Sequence, residues 1–188
     1  ISIGYETSDR NLGKNTYYDD QLPVKDKQLF QAYSVYAVND AGSGRKAWQT
    51  CTAIAGPAVK APMVESFPKA TMKSGPWLTK MTNGKIGEAY CYCMSDFKGV
   101  LPQDNDGGMQ SFSATSLGKS ARSESPKIDI RGLQKPVLNF WVRFNGVGDS
   151  LTVSISPEYK GFVPLLRLEG KDGDTGWNRY SVELSEEY

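Results

Sequence analysis

The sequence predicts an all-β chain, arranged as two β-sandwiches in tandem, and three observations carry that prediction. Apolar residues recur at every second position in several short runs. Turn-forming residues separate those runs at regular spacing. No stretch shows the i, i+3, i+4 recurrence of a long amphipathic helix. In "VLNFWVRF", Leu138, Phe140, Val142 and Phe144 face one way. In "SLTVSIS", Leu151, Val153 and Ile155 oppose Thr152, Ser154 and Ser156, and "RYSVEL" places Tyr180, Val182 and Leu184 together. A period of two marks strands with one face toward a core and one toward water. The intervening "FNGVGDS", "SPEYKG" and "GKDGDTG" are rich in the Gly, Asn, Asp and Pro that turns require.

Taken in chain order, the composition changes once. Residues 50–62, "TCTAIAGPAVKAP", lose charge and gain Ala, Gly and Pro. That composition predicts a strand running into a short, stiff linker. The boundary falls between Pro57 and Pro62, giving one domain over residues 1–58 and another over 59–188. A length of 188 residues allows one large domain or two small ones, and is enough to bury at least one real core.

The stretch "TYYDDQLP" and then "AYSVYAVNDAGSGRKAWQT" precede the boundary. With Tyr33, Val35, Ala37, Val38 and Asn39 leading into the turn Ala41–Gly42, they resemble the late strands of a fibronectin type III domain. The resemblance covers about residues 16–56 and implies that Tyr33 is a corner tyrosine, its hydroxyl bonded back to the backbone. The early strands of that family, with their buried tryptophan, have no counterpart, so this part is expected to be partial.

Past the boundary the order is "APMVESFP", "GPWLTK", "GEAYCYC", "DNDGGMQSF", "ESPKIDIRGLQKPVLNFWVRF", "DSLTVSIS", "GFVPLLRLEG" and "TGWNRYSVELSEEY". It resembles the MAM-like, cleaved-adhesin-type jelly-roll modules of secreted bacterial surface proteins. "SPKIDIRGL" followed by a Phe-Trp strand is the most specific part, with "GW" shortly before "VELS" second. Such modules usually continue beyond the position of Leu184, so the jelly roll is expected to lack its last strand.

The charge balance and two residue counts exclude whole classes of chemistry. Lys and Arg number 22 against 21 Asp and Glu, so no basic field points to nucleic acid. No apolar run is long enough for a transmembrane helix, and "ISIGYETSDR" is not a signal peptide. There is no histidine, which removes Ser-His-Asp and Cys-His nucleophiles and every imidazole metal site. Cys51, Cys91 and Cys93 suit no simple disulfide framework, and Cys91–Cys93 is too close for an unstrained bridge. Free thiols, dispensable for folding, are expected, with a bridge from Cys51 left open.

Glu65, Glu88, Glu124, Asp129 and Glu183 are available carboxylates, yet their spacing singles out no pair for glycoside hydrolysis. The chain is therefore read as non-catalytic. Trp141 is the leading ligand-binding residue, with Asn139 and Arg143 on its side of the strand. An indole between polar side chains can stack on a sugar ring or anchor a protein partner. Packing under a covered face is the plainer role for Trp141. Trp77 and Trp177 are expected to plug sandwich ends.

In "QDNDGGMQSF", Asp104, Asn105 and Asp106 run into Gly107–Gly108. Two carboxylates and an amide offer hard oxygens suited to calcium. No EF-hand loop is completed, and an Asp-Gly turn held by its own hydrogen bonds needs no metal. The jelly-roll resemblance implies a structural calcium joining this loop to Glu65 on the opening strand. It also implies a secreted or cell-surface adhesion or ligand-binding module with a protein or glycan partner, flanked by other domains of a longer polypeptide. A pure structural spacer is the alternative, and the accessory part of a secreted glycoside hydrolase or protease a lesser one.

Overall fold

The computed structural model describes residues 28–33, 37–44, 51–67, 77–83, 89–94, 96, 98–105, 107–114, 118–157, 160–171, 173–185 and 188. Within them the fold is all-β, as the period-two pattern predicts. No helix among the described residues is long and apolar enough to cross a membrane.

The strands are β1 (Leu29–Tyr33), β2 (Val38–Asn39), β3 (Gly42–Ser43), β4 (Cys51–Ala55), β5 (Val59–Lys60), β6 (Leu78–Asn83) and β7 (Ala89–Met94). They continue with β8 (Met109–Ala114), β9 (Ser120–Glu124), β10 (Ile128–Asp129), β11 (Val137–Val142), β12 (Ser150–Ile155), β13 (Val163–Glu169) and β14 (Asn178–Glu183).

Their pairing is nested three times over. The strand β1 pairs β4 around the β2–β3 hairpin, β6 pairs β9 around β7–β8, and β11 pairs β14 around β12–β13. The inner pair of each of the last two sets continues the register of its outer pair, apart from local bulges. Each set is thus a long antiparallel ribbon with a break midway. In the last ribbon the break is held on both sides. Thr175 donates its N–H to Phe144 O (3.1 Å) and Gly170 donates to Asp149 O (2.7 Å). Nested pairing arises when a chain folds back once and both arms follow each other, and it places residues far apart in sequence side by side.

The second ribbon brings its two halves together as well, with β7 close to β6 and β9. Gln110 donates to the Ser123 hydroxyl at 2.9 Å. Met109, at the start of β8, is buried, at 7% exposure. Cys91 and Cys93 lie in β7 and Cys51 in β4, facing Tyr33 in register. The corner-tyrosine bond expected of Tyr33 falls on a side chain outside those described, as do residues 16–27.

The Pro/Ala/Gly segment forms a strand. Val59–Lys60 pair parallel with Ile128–Asp129. Val59 donates to Lys127 O at 2.9 Å and Ala61 to Asp129 O at 3.1 Å. Pro57 and Pro62 flank this strand and lack an N–H, which accounts for its brevity. Gln28 extends the junction by mimicking a strand. Its side-chain amide donates to Lys127 O (2.8 Å) and accepts from Lys127 N (2.7 Å), while the Lys127 ammonium reaches Gly56 O.

Just beyond β10, Arg131 closes back on Asp129 through its Nε and Nη2 atoms, both at 2.8 Å. Asp129 also accepts the Arg131 backbone N–H at 3.1 Å. These bonds lower the Asp129 pKa from 3.8 to about 2. A carboxylate with a depressed folded pKa contributes stability above its unfolded pKa and loses it as pH falls through the folded one. The contribution of Asp129 is therefore full above about pH 4 and fades toward pH 2. In Arg131→Gln, side-chain carbon NMR should show the Asp129 titration midpoint returning toward 3.8. An unmoved midpoint would show that Arg131 does not hold that carboxylate.

Candidate functional site

The face of the third ribbon follows from its register. Leu138 lies across from Val182 and Phe140 across from Tyr180, and all four are half-buried. The Phe140 and Tyr180 rings stack at 5.9 Å between centroids and 22° between planes. On the opposite face Asn139 lies across from Ser181 and Trp141 across from Arg179. Exposure alternates along β11 as Trp141's position requires, and the indole is 44% exposed. Trp141 is therefore exposed rather than packed under a covered face, on a face that the described residues leave open.

Its neighbours are organised by Asn139. The Asn139 Oδ1 atom accepts from the Ser181 hydroxyl at 2.6 Å and from Arg179 Nη2 at 3.2 Å. One carbonyl thus orients a hydroxyl and a guanidinium from β14 beside the indole of β11.

Arg143 takes a different part from the one its spacing suggested. It lies just past β11, where its Nε donates to Asp174 Oδ1 at 2.7 Å and its Nη2 pairs with Asp174 Oδ2. Asp174 Oδ1 also accepts the Gly176 N–H at 2.9 Å. This two-pronged pair lowers the Asp174 pKa, the Arg143 bond being the largest cause and the Gly176 bond the next. Arg143 therefore pins the 174–176 turn to the end of β11, and Arg179 is the cation opposite Trp141. Only the pairing of β11 with β14 reveals that. Within the sequence, Arg179 and Ser181 stand out merely as the polar alternates of "NRYSVEL".

The acidic loop lies against the segment carrying Glu65. Gly108 donates to Ser66 O at 2.8 Å. Asp104 Oδ1 accepts the Gly107 N–H at 3.0 Å, and Asn105 donates to Pro102 O at 3.1 Å with a φ of 59°. The first is a side-chain-to-backbone bond and the second closes a backbone turn over 102–105, and the left-handed φ is one that Asn tolerates. Glu65 lies in no strand, so the expected opening strand is absent at 63–67, but its carboxylate is engaged. Its Oε1 accepts the Phe67 N–H at 2.7 Å and its Oε2 accepts the Trp77 indole N–H at 3.1 Å. The Phe67 and Trp77 rings meet at 5.5 Å. Among the described residues no group of three or more acidic or thiol ligands gathers. Asp106 lies outside those residues, as does Glu88.

Trp177 and Glu124 have partners. Trp177 donates its indole N–H to Leu101 O at 3.0 Å, tying the third ribbon to the residues before the acidic loop. Glu124 pairs with Arg122 at 2.6 Å, and Glu183 lies across from Val137 at the end of β11.

Set against known proteins, the chain matches no family model, no curated protein and no solved structure.

Proposed function

We propose that this chain is a non-catalytic binding module of a larger secreted or cell-surface protein, and that it holds a glycan on the Trp141 face of β11–β14. The proposal includes a partial fibronectin type III-like sandwich followed by a MAM-like jelly roll. One observation carries the binding reading: an exposed indole lies next to an Asn139–Ser181–Arg179 group already fixed by its own hydrogen bonds. A sugar ring presents a C–H face that stacks on an aromatic ring and hydroxyls that bond to polar neighbours. Side chains held before binding lose little freedom on binding, which favours affinity. A glycan array, paired with pull-down from intact bacteria and host matrix, tests this. Retention of a glycan supports the proposal, retention of a protein alone assigns the face to a protein partner, and retention of neither leaves a spacer.

The acidic loop extends the proposal to a structural calcium. Asp104, Asn105 and Asp106 supply hard oxygens, and the loop lies against the Ser66 carbonyl. Glu65, with both oxygens accepting N–H groups, would stiffen the adjoining segment. An ion that binds only the folded chain raises its stability by mass action. Millimolar calcium should then raise the melting temperature and EDTA reverse the rise. A melt indifferent to both leaves the hydrogen-bonded turn as the whole role of the loop.

A further inference from the structure

The third ribbon breaks at "FNGVGDS", and the chemistry of that break differs from its architecture. Asn145 is exposed and is followed by Gly146. The peptide between them lies between two anchors: the Phe144–Thr175 bonds on one side and the Gly170–Asp149 bond on the other. No strand pairing holds Asn145 or Gly146. We propose that Asn145 is a site of spontaneous deamidation and isomerisation. The Gly146 backbone nitrogen, having lost its proton to water, attacks Asn145 Cγ. A new C–N bond closes a five-membered succinimide, and the side-chain nitrogen leaves as ammonia. Water then adds to either succinimide carbonyl. One opening gives Asp, and the other gives isoaspartate, with the backbone routed through the former side chain. Water is the sole co-reactant and no electrons are transferred.

Glycine is what makes the attack easy, because no Cβ shields the nucleophilic nitrogen or restricts the rotation that aims it. Asn83–Gly84 offers the same pair of residues in a different setting. Asn83 ends β6 and pairs with Ser120, so its backbone is held extended. The ribbon break thus selects Asn145 over Asn83. The consequence reaches the ribbon itself. Isoaspartate adds a backbone carbon between the two anchors, and either product adds a negative charge next to Arg143, which holds Asp174.

The test ages the folded chain at mildly alkaline pH and body temperature, followed by peptide mapping. Trypsin releases residues 144–160 and 81–85 as separate peptides. The peptide 144–160 should gain the mass of an amide-to-acid exchange, with isoaspartate the larger share, and faster than 81–85. Gly146→Ala should slow the gain by about an order of magnitude. Alanine is tolerated at this position, since its Cβ would approach Asp149 Oδ2 at 3.1 Å and that side chain can turn away. Equal rates for the two peptides, no gain at 144–160, or a gain indifferent to Gly146→Ala would each overturn the proposal. Asn145→Gln, which closes the ring far more slowly, should abolish the product while leaving the melting temperature unchanged.

Discussion

Gly108→Ala lowers the melting temperature by about 5–10 °C, the shift that a loss of about 2–3 kcal/mol produces in a domain of this size. Gly107→Ala does the same. A Cβ on Gly108 would overlap the Phe67 carbonyl oxygen and meet Phe67 Cβ at 3.1 Å. On Gly107 it would overlap the Ser66 carbonyl oxygen and meet the Asp104 carboxylate at 3.1 Å and 3.3 Å. Neither carbonyl is free to retreat. Ser66 O accepts the Gly108 N–H, and Phe67 is fixed through its own N–H by Glu65. Phe67 has a φ of 50°, a strained value for a bulky residue, so moving it means undoing the Glu65 and Trp77 contacts that hold it there. Ser66→Ala is the control. It keeps the backbone carbonyl and removes only an exposed hydroxyl, so its effect stays within about 0.5 kcal/mol. A Gly108→Ala protein that melts with the wild type would show that the acidic loop does not rest on residues 66–67. The calcium proposal would lose its geometry with it.

The same two glycines show how far the sequence can be read. "DNDGG" announces a turn from composition alone, and a turn with a side-chain-to-backbone bond is there. That a loop packs against "VESF" cannot be read from local pattern, because a close backbone approach leaves no mark other than the absent side chain. The strands follow the same rule. Period two in "VLNFWVRF" and "RYSVEL" assigns Leu138, Phe140, Tyr180 and Val182 to one face and leaves Trp141 on the other. Periodicity reports a face and never a partner. The nesting of β12–β13 inside β11–β14, which puts Arg179 across from Trp141, is set by where the chain folds back. The partner of Arg143 is hidden for the same reason, since alternation aligns it with Trp141 while Asp174, brought near by the same pairing, takes its guanidinium. The Pro/Ala/Gly segment carries a parallel lesson. Composition marked it as a linker, yet Val59–Lys60 find an open stretch of backbone at Ile128–Asp129 and pair with it.

Trp141→Ala should abolish glycan retention while leaving the fold intact. The two effects separate because of where the indole lies. At 44% exposure it loses some packing on truncation, but it is on the face opposite the Phe140–Tyr180 stack. Its stability cost is about 1–2 kcal/mol, short of what unfolds a domain. The binding cost is larger, because a stacked aromatic anchor contributes about 2 kcal/mol or more at an interface centre, about thirtyfold in affinity. Trp141→Phe keeps a ring and should retain part of the binding. Asn139→Ala acts at one remove. It removes the oxygen that holds Ser181 and Arg179, so affinity should fall through looser donors even though the indole is untouched. Arg143→Gln is the discriminating control: it releases Asp174 at the ribbon's break and should lower the melting temperature more than it lowers affinity. Calorimetry with a glycan taken from the array reads affinity, and a thermal melt reads stability. If Trp141→Ala binds as tightly as the wild type while Arg143→Gln does not, the ligand lies at the break, and the β11–β14 face is only the outer surface of the ribbon.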